Sequence, residues 1–351
     1  VNIDIKYWLK VTGLAMLMTA VAFPTICWFL YQEYLDTQLD VGPDPIMFHV
    51  PPNTNLSLIA SELNQMGVLD YPRLFVWHAR LTDQTLVQTG EYQLDQGLTP
   101  QTLLEKFNSG DVRLFSATFP EGITFATMRE RLEADPNLVA DTRGLNDEAL
   151  KALLGIQVEH FEGLFYPDTY VYPKGFPVSR ILKQAYERMN AVLEEAWAIR
   201  DVGLPLQSPY DMLILASIVE KETGVASERA EIAGVFIRRL QRNMRLQTDP
   251  TVIYALGENY DGNIRRSDLS YDSPYNTYVY GGLPPTPIAL PGGDAIRAVA
   301  QPAQGDSLYF VAKGDGSHYF SSTLQEHNEA VRRFQIEQRA PNYRSAPSGQ
   351  E

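Results

Sequence analysis

The sequence has a single cysteine, Cys27, in 351 residues. No intramolecular disulfide, Cys-x-x-Cys pair or cysteine zinc cage can form, whatever the compartment. Histidine is scarce too. His49, His78, His160, His318 and His327 are scattered and make no His-Glu-x-x-His pair, so neither a metal nor another cofactor is expected. Positive charge is in deficit: 29 Lys and Arg face 43 Asp and Glu, leaving a net charge of −14. That balance argues against nucleic acid as a partner, because a polyanion needs an extended basic surface. No Gly-x-Gly-x-x-Gly run opens a helix, so nucleotide binding has no support, and Gly281-Gly282 with the prolines from 284 to 291 read as rigid loop punctuation. What is present is 44% hydrophobic residues, enough for real cores. The length suggests roughly two domains of about 100 to 200 residues each.

Charge is also missing from Val11 to Tyr31, a run of 21 residues preceded by Lys6 and Lys10 and followed by Gln32 and Glu33. As a helix it would reach about 31 Å, the hydrocarbon thickness of a bilayer. Tyr7 and Trp8 at one end, with Trp28, Tyr31 and Tyr34 at the other, suit interfacial aromatic belts. A cytoplasmic tail over 1–10, a transmembrane helix over 11–31 and a linker over 32–46 are therefore expected, with the rest of the chain across the membrane by the positive-inside rule. Ala20-Val21-Ala22 mimics a signal-peptide cleavage box, but the apolar run continues past it. Cys27 reads as a buried membrane thiol.

Beyond the linker, a strand, a turn and an amphipathic helix recur three times, at His49-Val50, at Tyr92-Gln93-Leu94 and at Ala117-Thr118-Phe119. Leu58, Ile59 and Leu63, and later Phe125, Met128 and Leu132, repeat at helical steps, with Thr99-Pro100 and Thr124 as helix starts. Units this small should pack together. The first resembles a LysM-type peptidoglycan-binding unit in layout, giving a LysM-like α/β module over 47–112, against which 117–150 could also pack.

From about 150 the composition turns to long helices and loops rich in Tyr and Pro. Ile181 to Arg200 carries one apolar stripe. Ser208, Pro209 and Asp211 then form an N-terminal helix signal ahead of a run that is apolar on nearly every side, interrupted only by Ser217. Glu220-Lys221-Glu222 closes it. At 100° per residue Glu222 lies above Val219, Ile218 and Leu215, whereas Glu220 lies above Ala216 and Ser217. Glu222 is therefore expected to be partly desolvated at a helix C-terminus, where both effects raise a carboxyl pKa towards that of a general acid. The alternative is a pair of solvated acids bonded to Lys221, Arg229 or Arg238.

ASIVEKET (216–223) with ASER (226–229) resembles the catalytic signature of the MltG or YceG-like endolytic murein transglycosylases. So do EGLFYPDTY (162–170), RLQTDPTVIYALG (245–257), SPYNTY (273–278), GLPPTPIALPG (282–292) and YFVAKGDGSHYFSSTLQEHN (309–328), in order. The resemblance implies an α+β protein with a single N-terminal transmembrane helix, the LysM-like module and a mainly helical, lysozyme-like catalytic domain over 113–337. It implies that Glu222 is the essential acid; Glu220, at the same helix end, is the secondary candidate. It further implies non-hydrolytic cleavage of MurNAc-β-1,4-GlcNAc bonds in peptidoglycan glycan strands to give 1,6-anhydro ends, at the bacterial inner membrane, beside cell-wall synthases.

Gln247, Asp249, Tyr254, Tyr275, Asn276 and Tyr278 are the expected groove residues, because tyrosine offers a sugar ring an apolar face and a hydroxyl. Each could equally be packing, and Asp249-Pro250 could be a helix cap. A non-catalytic peptidoglycan-binding scaffold, and a hydrolytic muramidase using Asp249 as second carboxylate, are the competing functions. The polar tail over 338–351 is expected to be disordered.

Overall fold

The structure is a computed structural model and describes residues 5–337. The polar tail from Gln338 and the first four residues of the expected cytoplasmic tail lie outside the described residues. The chain divides into two compact units, one running up to Phe115 and including Val171–Phe176, the other comprising Ser116–Tyr170 and the chain from Pro177.

The first unit opens with α1 (Ile5–Asp36), whose stretch Val11–Asp36 is long and apolar enough to cross a membrane. β1 (Ile46–Val50), α2 (Leu56–Gln65), α3 (Pro72–Leu81), β2 (Gly90–Leu94) and α4 (Pro100–Ser109) follow. β1 and β2 pair antiparallel, with Ile46 opposite Leu94 and Val50 opposite Gly90. Their inward side chains Phe48, Val50, Tyr92 and Leu94 meet Ile59 and Leu63 of α2, Phe75 of α3 and Phe107 of α4 in one core. Asn55 caps α2, and Thr99 caps α4 through a reciprocal capping box with Thr102, so each start satisfies a helix N–H that would otherwise lack a partner.

The segment read as a polar linker joins this core. The helix continues to Asp36, and Leu35, Leu39 and Val41 are all buried. The end of α1 is further fixed by a 2.5 Å hydrogen bond between the Tyr31 hydroxyl and His78 Nδ1, by an edge contact of Tyr31 with Trp77, and by Tyr34 donating to the Asp70 carbonyl.

β3 (Leu114–Thr118) pairs with β5 (Thr169–Pro173), and β4 (Leu138–Val139) with β6 (Phe176–Pro177). Between them lie α5 (Phe125–Ala134) and α6 (Asp147–Leu154), followed by α7 (Val178–Ala198), α8 (Pro209–Glu222), α9 (Arg229–Gln241), α10 (Asp249–Leu256) and α11 (Gly293–Ala300). A hairpin of β7 (Tyr309–Ala312) and β8 (His318–Ser321) and the helix α12 (Leu324–Val331) complete the second unit. The third strand–turn–helix pattern therefore has its helix in this unit, where Phe125 of α5 stacks on Phe165 at 4.6 Å.

α8 is the axis of the second unit. Ser208 accepts from the Asp211 N–H and Pro209 occupies the first turn, as the start signal predicts. Every residue from Met212 to Glu220 is buried, as befits a helix apolar nearly all round, with α7, α9, α10 and α11 packed against it. Ser217 is a tie rather than a polar edge. Its hydroxyl donates to the Ile214 carbonyl and accepts from the Ile288 N–H at 3.0 Å, binding the proline-rich loop to the helix.

Candidate active site

At the end of α8 three charged side chains diverge. Lys221 is exposed and donates to the Gly122 carbonyl. The Glu220 side chain is only 1% exposed and lies 3.4 Å from Arg229, which also reaches Glu121 and Asp294. Its second oxygen accepts from the Gly292 N–H at 2.9 Å, where α11 begins. The Glu121 carboxylate lies against Gly292 in the space that a Cβ would take. Burial pushes the Glu220 carboxyl up, the Gly292 N–H and Arg229 pull it down, and neighbouring Glu121 raises it. With both oxygens engaged, Glu220 braces α8 against α9 and α11.

Glu222 is different. It is half-buried, and one carboxyl oxygen accepts a hydrogen bond from the Thr248 hydroxyl. Burial pushes its carboxyl up to about 7; the Thr248 bond opposes this, nearby Asp249 adds to it, and Arg239 opposes it. A carboxyl titrating near neutrality can give up a proton and take one back at physiological pH. The Thr248 hydroxyl then stabilises the charged form.

The loop before α10 is built to aim that hydroxyl. Gln247 adopts a left-handed conformation at φ +50°, which costs a residue bearing a Cβ about 1–2 kcal/mol. Its N–H donates to the Thr277 carbonyl, and Thr248, Thr251 and Thr277 form a buried hydroxyl cluster beside it. Thr248 occupies the N-cap position of α10 but makes no side-chain cap, its hydroxyl being turned to Glu222 instead.

The six expected groove residues separate. Gln247 and Asp249 are exposed on either side of Thr248, and Asp249 is the first residue of α10 rather than its cap. Tyr278 donates to Asp249 at 2.6 Å, and its carbonyl accepts from Arg245. Tyr278 is close enough to Glu222 for the carboxylate charge to help raise its phenol pKa, although burial is the larger cause. Tyr254, further along α10, packs on Tyr275 of the following loop at 5.0 Å and reaches Glu162. Asn276 is a correction to the expected groove set. It is 0% exposed, its amide donates to the carbonyls of Asp268, Leu269 and Tyr271, and its oxygen accepts from the Tyr278 N–H. Asn276 shapes the loop, with both amide hydrogens spent on it and the side chain shut off from solvent.

Two residues of the site went unread in the sequence. Thr248 precedes Asp249-Pro250, the pair read as a possible helix cap, and no local pattern marks its partner Glu222 26 residues before it. Arg239 of α9 is buried, donates to the carbonyls of Leu308, Arg245 and Leu246, and lies over the Tyr309 ring, 5.1 Å from its centre. Among the described residues, no cluster of three or more His, Cys, Asp or Glu side chains is arranged to hold a metal.

The sequence model of the YceG-like family matches residues 48–333. The endolytic murein transglycosylase of Bacillus subtilis (strain 168) is 31% identical over 307 residues, covering 82% of this chain and 84% of that protein. The protein of that name from Streptococcus pneumoniae serotype 2 (strain D39) is 27% identical over 341 residues, covering 87% of this chain and 61% of its own length. Among solved structures, a yceG-like protein of Listeria monocytogenes superposes with a TM-score of 0.54 at 28% identity, over 82% of this chain and 99% of that one. With the match running through all the segments that build the Glu222 site, the chain belongs to the YceG-like family.

Proposed function

We propose that this chain is a membrane-anchored endolytic lytic transglycosylase that cleaves peptidoglycan glycan strands without adding water. The observation that carries the reading is a single half-buried carboxyl, Glu222, whose proton affinity lies near neutrality and whose anion is met by Thr248. The names borne by its relatives support the substrate.

In this mechanism the protonated Glu222 gives its proton to the glycosidic oxygen as the bond from C1 of the muramoyl ring to that oxygen breaks. The resulting carboxylate then takes the proton of the C6 hydroxyl as O6 closes onto C1, leaving a 1,6-anhydro end and restoring the acid. One carboxyl suffices because the nucleophile belongs to the substrate, whereas hydrolytic glycosidases use two. Gln247, Asp249 and Tyr278 beside it would hold the sugar so that O6 faces C1. The Tyr278 hydroxyl occupies one oxygen of Asp249, which favours Asp249 as a sugar-orienting group over a second catalytic carboxylate.

α1 would be the anchor, with the lysines before the apolar run facing the cytoplasm and both units on the far side of the inner membrane. The β1–α2–α3–β2 unit would be LysM-like and grip glycan, and the α8-centred unit would form the lysozyme-like lobe, working beside cell-wall synthases. The test is mass analysis of peptidoglycan digested by the full chain. Anhydro ends are expected; new reducing ends would establish a muramidase, and uncut strands a binding scaffold.

Thr248→Val keeps the shape of the loop and deletes the donor to the Glu222 anion. The alkaline limb of kcat/KM is expected to rise by about half a unit to one unit, because a lost bond to the charged form favours the neutral one. A limb that stays in place would show that the hydroxyl does not act on Glu222.

A further inference from the structure

A second raised carboxyl lies in the same unit and has no part in the chemistry above. Glu162 lines a cavity of about 610 Å³ with Phe125, Phe161, Tyr254 and Tyr275, a volume in the range of small-molecule sites. Its place is tightly set. Gly163 after it has φ +82° and packs so closely on Pro287 that a Cβ would lie 2.4 Å away. One Glu162 oxygen accepts from the Phe125 N–H at 2.9 Å, and the other lies 3.4 Å from the Tyr254 hydroxyl. Tyr275 is held by a 2.9 Å hydrogen bond with Thr286, and Phe125 and Phe161 pack at 4.9 Å.

We propose that this cavity is a second carbohydrate subsite, holding one N-acetylhexosamine unit of the glycan strand away from the bond that Glu222 breaks, with the Tyr254–Tyr275 pair as its wall and Glu162 as its polar anchor. It rests on the reading of Glu222 as a glycan-cleaving acid. The aromatic end of the cavity suits an uncharged ligand. Arg129, which also lines the cavity, is committed to Glu133 and to the carbonyls of Thr142 and Leu145, and Arg143 is exposed and bonded to the Glu133 carbonyl. A cationic stem group would need an ionised carboxylate at the aromatic wall: burial raises Glu162 to about 7 against the hydrogen bonds from Phe125, Gly163 and Tyr254, Glu133 is taken up by Arg129 and Thr142, and Glu130 and Asp147, which also line the cavity, are exposed. An acetamido sugar supplies what is left to satisfy: hydroxyl and amide N–H groups for the carboxyl, and C–H faces for the rings. The cavity and the Glu222 site share α10, which carries Asp249 at its start and Tyr254 five residues later, about 140° round the helix axis.

The test uses the full chain in detergent carrying Glu222→Gln, so that strands bind without turnover. It is titrated by calorimetry with peptide-free glycan strands and, separately, with free stem peptide. Adding Tyr254→Ala is expected to weaken strand binding about tenfold, and Glu162→Gln or Tyr254→Phe about threefold, with no binding of stem peptide. The last two variants keep the shape of the cavity and carry the test should the alanine variant misfold. Strand affinity unchanged in all of them, or stem peptide binding that depends on Tyr254, would overturn the subsite. Failure of the catalytic reading looks different: no anhydro ends from the unaltered chain, with strand binding still dependent on Tyr254, leaves the subsite standing. Anhydro ends with undiminished strand affinity in the variants remove the subsite alone.

Discussion

Replacing Glu222 by glutamine is expected to lower the rate of anhydro-end formation by about 10²–10⁴-fold, the range for loss of a general acid–base group. Glutamine has the same shape and can still accept from Thr248, so the chain should fold; it cannot give or take the proton. In the unaltered enzyme kcat/KM should hold on the acid side and fall above a pH of about 7, where the free enzyme loses this proton. The residual activity of the variant should lack that limb. A variant within tenfold of the parent would overturn Glu222 as the acid and move the search to Glu162.

The same carboxyl ties stability to pH. Its folded-state pKa of about 7 lies above the ordinary value of 4.5, so between those values the native state binds more protons than the unfolded chain. Stability from this group is present below 4.5 and declines as pH rises through 7. Thermal unfolding at pH 5 and pH 8 should therefore show Glu222→Gln gaining on the parent at the higher pH. An equal difference at both would remove burial as the cause of the shift.

Arg229→Met carries the second large effect. It leaves Glu220 buried with its counter-charge gone, which typically costs about 3–5 kcal/mol and would lower the melting temperature by roughly ten degrees. The penalty should ease in acid, where Glu220 can take up a proton. Adding Glu220→Gln should recover much of the loss, since the glutamine oxygen can still accept from Gly292 and no charge is stranded. A single variant as stable as the parent at pH 8 would mean that Arg229 does not compensate Glu220.

How much of this was legible in the chain depends on sequence distance. The start of α8 at Ser208-Pro209 and the caps at Thr99 and Thr124 stand in the structure as read, because capping is decided within four residues. The raised pKa of Glu222 was also legible from helical angles. What the angles could not show is that Glu220 is less exposed still. Its face seemed polar through Ser217, yet the proline-rich loop and α11, some 70 residues on, cover it. The split of the tyrosines was hidden likewise: Tyr254 meets Glu162 across 92 residues, and no local pattern in either segment announces the other. Asn276 had the residue type of a sugar-binding amide but is buried and spends its amide hydrogens on its own loop.

The junction between α1 and the first unit has a mechanical meaning. Because Leu39 and Val41 are sunk in the core, Leu35 is buried, and Tyr31 and Tyr34 clasp α3 and the turn before it, there is no slack rope between α1 and the rest of the first unit. If α1 spans the membrane, the first unit is a foot bolted to its post: turning or tilting the post turns the foot, and exposed Tyr71 and Trp77 stay beside the lipid headgroups rather than wandering into the wall.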